Sequence, residues 1–233
     1  MSASYIKAYG SHRAEPKGWV SRLGEDEYSH TFGGESWRVI DPELSYFVPV
    51  LLLVLDLKDP KLAALLTEDM DKLPLCSHIN CSVWAGKQVF QIYPHLGTVV
   101  LVEREINAPE SWETGFPIPL PEKRIKLCPM QNTDYPVNRE QYWQACENFL
   151  NGTSFIRVLG TPLWIDPVLT EEDEHPHCSC NLPMQYVCAV GCEHELETSE
   201  KYVDGEPFYI GEGVLYFFLC RSCLRVIVMF QSV

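Results

Sequence analysis

Apolar residues come along this chain in short runs broken by turn formers, not in long helical arrays. Segments 88–93, 98–103, 184–190, 214–220 and 224–230 are rich in β-branched and aromatic residues, and turn residues bound them, which predicts strands. The apolar stretch 47–57 is interrupted by Pro49 and Asp56. It predicts a core strand over 50–57 and falls well short of the roughly 20 residues a membrane helix needs. Helical spacing occurs twice. Over 59–70, Pro60 stands at a plausible first position and Leu62, Leu65 and Leu66 share one side. Over 138–150, Tyr142, Cys146 and Phe149 or Leu150 recur at helical intervals, and Asn151-Gly152 supplies a stop. Pro94 to Gly97 predicts a hairpin turn between the strands at 88–93 and 98–103, and Cys220 to Cys223 another between the last two strands.

Punctuation sharpens this outline. Seventeen prolines and fourteen glycines favour many short strands over long helices. Pro109, Pro117, Pro119 and Pro121 fall within 107–126, which suits an extended surface connector. Phe32-Gly33-Gly34-Glu35-Ser36-Trp37 is echoed by Leu159-Gly160-Thr161-Pro162-Leu163-Trp164. Each is followed by a cysteine-containing turn and two β-rich runs. The expected fold is therefore α+β and β-rich: two internally duplicated halves built on antiparallel sheets, with few short helices and a metal-stapled C-terminal half. The expected division is an N-terminal half-repeat over 1–106, a proline-rich connector over 107–137 and a C-terminal half-repeat over 138–233.

At 46% apolar residues, 233 residues are enough for one sizeable core or two smaller halves sharing an interface. The first residues, 1–13, lack the apolar run followed by small residues that export uses, so a cytoplasmic protein is expected. In that compartment ten cysteines are expected to be reduced thiols, and clustered ones become metal-ligand candidates. A net charge of -14, with no block of Lys or Arg, argues against nucleic acid and favours a basic protein partner.

Candidate chemistry concentrates near the C-terminus. Cys220-Arg221-Ser222-Cys223 lies between two apolar runs, and a two-residue gap lets both thiolates of a tight turn face one ion. The complementary ligands are expected from His175-Pro176-His177-Cys178-Ser179-Cys180, the densest group of soft ligands in the chain. Cys178 and Cys180 complete an all-cysteine site for a structural zinc by count. Their single-residue gap is tight, and His177 with Cys180 has the ordinary gap of two, so His177 stands as the alternative to Cys178. Cys188 and Cys192, with His194 near by, form a lesser candidate pair, because the alternation of its strand would bury Cys188. Cys76, His78 and Cys81 offer three ligands at most and are expected to be an ordinary loop; Cys128 and Cys146 are expected in the core. No phosphate loop, HExxH pair or Gly-x-Ser-x-Gly elbow is present, and Glu171-Glu172-Asp173-Glu174 is expected to be a solvated acidic loop. The functional expectation is a non-enzymatic, zinc-containing module that binds protein, the alternative being a zinc-dependent hydrolase with an open coordination position.

The segments Gly160-Thr161-Pro162-Leu163-Trp164-Ile165-Asp166, His177 into Cys180-Asn181-Leu182-Pro183-Met184, and Gly213-Val214-Leu215-Tyr216-Phe217-Phe218-Leu219-Cys220-Arg221-Ser222-Cys223 resemble the bacterial YwqG-like family of unknown function. They are also similar to the C-terminal domain of the programmed cell death protein 2 family. Both families show a Gly-Gly-x-Pro-x-Trp turn, a Cys-x-x-Cys-Gly-x-x-Met segment and an aromatic strand ending in Cys-x-x-Cys. The resemblance covers roughly residues 159–231; the first half shares it only through Gly33-Gly34 to Trp37. By position, Cys180 is the second cysteine of the family's first pair, His177 stands where the first would be, and Cys178 is an addition. The resemblance implies a β-rich duplicated fold. It also implies, for the eukaryotic relatives, a chaperone-like role toward a basic ribosomal protein, and for the bacterial ones a role like that of immunity partners of toxins.

Overall fold

The computed structural model describes residues 17–42, 48–79, 86–105, 116–136, 138–150, 155–165, 176–193, 201–204, 207–210 and 213–232. Among them are twelve strands: β1 (Gly18–Leu23), β2 (Thr31–Phe32), β3 (Arg38–Ile40), β4 (Val50–Asp56), β5 (Lys72–Ser77), β6 (Lys87–Tyr93), β7 (Thr98–Arg104), β8 (Lys123–Pro129), β9 (Ile156–Leu159), β10 (Gln185–Val190), β11 (Gly213–Cys220) and β12 (Arg225–Ser232). The six strands expected from the apolar runs are all present, within a residue or two at either end. They join one nearly closed, barrel-like sheet in the order β3-β7-β6-β12-β11-β10-β9-β1-β8-β2-β4-β5. Every pairing is antiparallel except β3 with β7.

The two predicted helices differ in outcome. The α-helix α1 (Arg139–Leu150) starts where Asn138 caps it, its Oδ1 accepting the Gln141 N–H at 3.0 Å. Tyr142, Ala145, Cys146 and Phe149 make its buried stripe. The segment 59–70 is instead a 3-10 helix over Pro60–Leu65, capped by the Asp59 carboxylate, which accepts the Lys61 N–H at 2.9 Å. Leu62 and Leu65, three apart, are fully buried, whereas Leu66 turns outward. Two apolar anchors at that spacing suit one tight turn and do not extend a helix.

β11 decides how the core is layered, because all eight of its residues are buried. Leu215, Phe217 and Leu219 point into the main core with β4, β5 and Phe32, while Val214, Tyr216 and Phe218 point to the face that α1 covers. On that second face Tyr216 donates to the Leu163 carbonyl (2.7 Å), Tyr142 donates to the Trp164 carbonyl (2.8 Å), and the Trp164 and Tyr216 rings are 4.4 Å apart. Trp164 is thereby buried in the α1 face. Trp37, its partner in the sequence echo, is half-buried and packs against the main core.

Both echoed turns contain two consecutive residues with left-handed backbone, Gly33-Gly34 and Leu159-Gly160. This match is one residue out of step with the sequence match, which set Gly33 against Gly160. Gly33 N–H donates to the Leu52 carbonyl at 2.9 Å and Gly34 N–H to the Leu120 carbonyl at 3.0 Å. At Gly33 (φ +66°) an added Cβ would come within 2.4 Å of the Pro121 carbonyl oxygen, a backbone atom that cannot swing away. Gly33→Ala is expected to cost about 1–3 kcal/mol or more, read as a lower urea midpoint with unchanged slope. An unchanged midpoint would show that the turn relaxes.

The 107–137 stretch is not an extended connector throughout. Its β8 lies between β1 and β2, in register from Trp19↔Pro129 to Leu23↔Ile125. Among the described residues no helix is long and apolar enough to cross a membrane.

Candidate metal centre

Two loops at one end of the sheet make the site. The first closes the β11–β12 hairpin: Cys220 pairs with Arg225, and the intervening residues turn back through Leu224 at φ 53°. The second spans 176–184. Cys178 N–H donates to the Leu182 carbonyl (2.9 Å), Asn181 N–H to the Cys178 carbonyl (2.8 Å) and Met184 N–H to the Pro176 carbonyl (2.9 Å), with a bridge between His177 and Pro183. Asn181 takes the left-handed conformation (φ 63°) that this turn requires and that asparagine tolerates better than most residues. That tight loop lets two cysteines only one residue apart aim their thiols the same way.

The result is a group of four. The sulfurs of Cys178, Cys180, Cys220 and Cys223 all lie within 4.8 Å of one another, and Cys180 Sγ is 3.7 Å from Cys220 Sγ. Four sulfurs each about 2.3 Å from a tetrahedral ion sit about 3.8 Å apart, so the spacing fits a metal thiolate site. It does not fit a disulfide, whose sulfurs are about 2 Å apart, and all four cysteines are free. His177 is exposed and outside the group, so Cys178 is the residue brought to the cluster.

The cluster's charge explains why a cation suits it. The Leu182 N–H, helped by the neighbouring Cys223 thiol, pulls the Cys180 thiol down to about 7. The adjacent Cys180 thiol then pushes Cys223 up to about 12, and burial raises Cys220. One thiolate is readily held, and further ionisation needs a positive charge among the sulfurs. Around them the loops are fastened together. Arg225 donates to Ser179 Oγ and, through Nε, to Gln91 Oε1 (2.9 Å); Gln91 in turn donates to the Cys223 carbonyl (2.7 Å). Ile92 N–H donates to the Leu224 carbonyl (2.9 Å), tying the hairpin turn to β6.

The other candidates from sequence are placed elsewhere. Cys188 is fully buried in β10, where burial raises its thiol, and Cys192 accepts the Ile210 N–H at 3.4 Å; neither joins the four. Cys76 is buried in β5, and His78 Nδ1 lies 3.0 Å from Gln88 Oε1. Cys146 lies on the buried stripe of α1, and Cys128 is half-buried in β8. Cys81, His194, His175 and the acidic run 171–174 lie outside the described residues.

A second polar group has no obvious signal in the sequence. Asp26, His30 and Asp59 converge below β1 and β4, with His30 and Asp59 fully buried. Asp56 N–H donates to His30 Nδ1 (3.0 Å), which leaves the ring proton on Nε2, 3.0 Å from Asp59 Oδ2. The cation here is already supplied: Lys61 Nζ lies 3.3 Å from Asp59 and 3.6 Å from Asp26, and within 6 Å of the Trp19 and Tyr28 ring centroids. No protein-family model, curated protein or solved structure matches this chain, so a functional reading rests on the cysteine geometry and the charge of the chain.

Proposed function

We propose that the four thiolates hold one structural zinc ion and that the protein is a non-enzymatic binding module for a basic protein partner. The observation that carries the metal reading is the convergence of four sulfurs from two separate loops within 4.8 Å. Thiolates are soft ligands, and a tetrahedral set of four suits zinc and leaves no open position for substrate or water. Hydrolase chemistry needs such a position, so the four-sulfur count favours the staple. A net charge of -14 supports a basic partner. The family resemblance supports a chaperone or immunity role in the cytoplasm. An internal duplication is supported by the paired left-handed turns.

Metal analysis tests the core of this reading: purified full-length protein is expected to carry about one zinc per chain, with X-ray absorption showing four sulfur neighbours. Near-zero metal in chelator-free preparations would refute it, and three sulfurs with one oxygen would favour the hydrolase. His177→Ala is expected to keep the metal and Cys178→Ser to lose most of it. The opposite pattern would assign the fourth position to His177.

A further inference from the structure

One wall of the metal loops borders a groove of about 780 Å3 that the staple alone does not explain. The turn after the 3-10 helix contributes Leu66, Glu68 and Asp69; the metal loops contribute Leu182, Pro183 and Arg221. Leu66 is 52% exposed and Leu182 45%, although each is large and apolar. Arg221 is turned aside to donate to the Ala64 carbonyl at 3.2 Å, which pins the two walls together. Glu68 and Asp69 are exposed on the rim of the groove, and among the described residues neither is in an ion pair.

We propose that this groove docks an extended, lysine- or arginine-bearing segment of the partner protein. An aliphatic side chain of the segment packs between Leu66 and Leu182, and its cations face Glu68 and Asp69. The proposal deepens the binding-module reading and rests on it for the class of partner. The charge of the whole chain steers such a segment inward, while the apolar walls select among basic segments. Because one wall consists of residues next to Cys180 and within the Cys220–Cys223 turn, the metal sets the width of the groove.

The test uses the full-length, metal-loaded protein and a fluorescent nine-residue probe carrying one leucine among four lysines, followed by anisotropy. Glu68→Lys with Asp69→Lys is expected to weaken binding at least tenfold, and Leu182→Ser severalfold. Glu140→Lys with Glu147→Lys, an equal change of charge on the exposed side of α1, should stay within about twofold. A probe with serine for leucine should bind severalfold more weakly. The proposal is overturned by no detectable binding, by equal losses in the two charge-reversed proteins, or by indifference to the leucine. It is also overturned if the protein self-associates and Leu182→Ser abolishes that, which would give the groove to a second copy of this chain. Metal content measured on the same samples separates the two readings. Groove-dependent binding by metal-free protein sinks the staple alone; full zinc with groove-independent binding sinks the groove alone.

Discussion

Cys220→Ser and Cys223→Ser proteins are expected to purify without metal and to melt on the order of 10–15 °C below the parent. Structural zinc contributes about 10–16 kcal/mol of apparent binding energy in small peptides that fold only around it. Here the loops hang from a twelve-stranded sheet with a large core of its own, so only part of that energy is expected to appear as stability. About 3–5 kcal/mol, at 2–4 °C for each kcal/mol in a chain of this size, gives the stated fall. Calorimetry with metal analysis on the same samples checks it, and a strong chelator should bring the parent protein to the same melting point. Equal melting points with and without metal would show that the loops hold their shape unaided and that the ion is not a staple.

His30→Ala is the second large effect expected, at about 2–4 kcal/mol of lost stability, because it removes a buried hydrogen-bond donor from Asp59 and leaves a cavity, while Lys61 still supplies the cation. Asp59 is fully buried and receives the His30 Nε2–H at 3.0 Å and the Lys61 N–H at 2.9 Å. Removing the ring also orphans the Asp56 N–H, which donates to Nδ1. Urea unfolding should show a sharply lower midpoint for His30→Ala. Combining it with Asp59→Ala should cost less than the sum of the two single changes, since both remove the same buried hydrogen bond. Additive losses would mean that the pair is not coupled.

The comparison of chain and structure shows where local pattern carries information. β4, β6, β7, β10, β11 and β12 were legible because consecutive β-branched and aromatic residues leave a helix little advantage. β5 was not, since Pro74 interrupts Lys72–Ser77; the proline is tolerated because, among the described residues, β5 ends the order of the sheet and pairs with β4 alone. β8 follows three prolines within six residues, and β2 is only two residues long, so neither had a local signal. At the site, Cys220 and Cys223 were plain from their spacing. The choice between His177 and Cys178 depended on a left-handed Asn181 that no spacing rule encodes. The His30, Asp59 and Lys61 group was illegible for the same reason: it is assembled by tertiary contact across 29 residues.

The pairing of β1 carries a consequence for how the chain is made. Residues Gly18–Leu23 take both their strand partners from β8 and β9, more than 100 positions later, and β6 waits for β12 at the far end of the chain. As the polypeptide leaves the ribosome, β4 with β5 and β6 with β7 can pair at once, but β1 has no edge to join until β8 and β9 emerge. Closing the sheet therefore waits for its late strands, although local hairpins form earlier. With so many distant pairings the protein belongs among the slow folders, and for the length of that wait the nascent chain depends on whatever shields it.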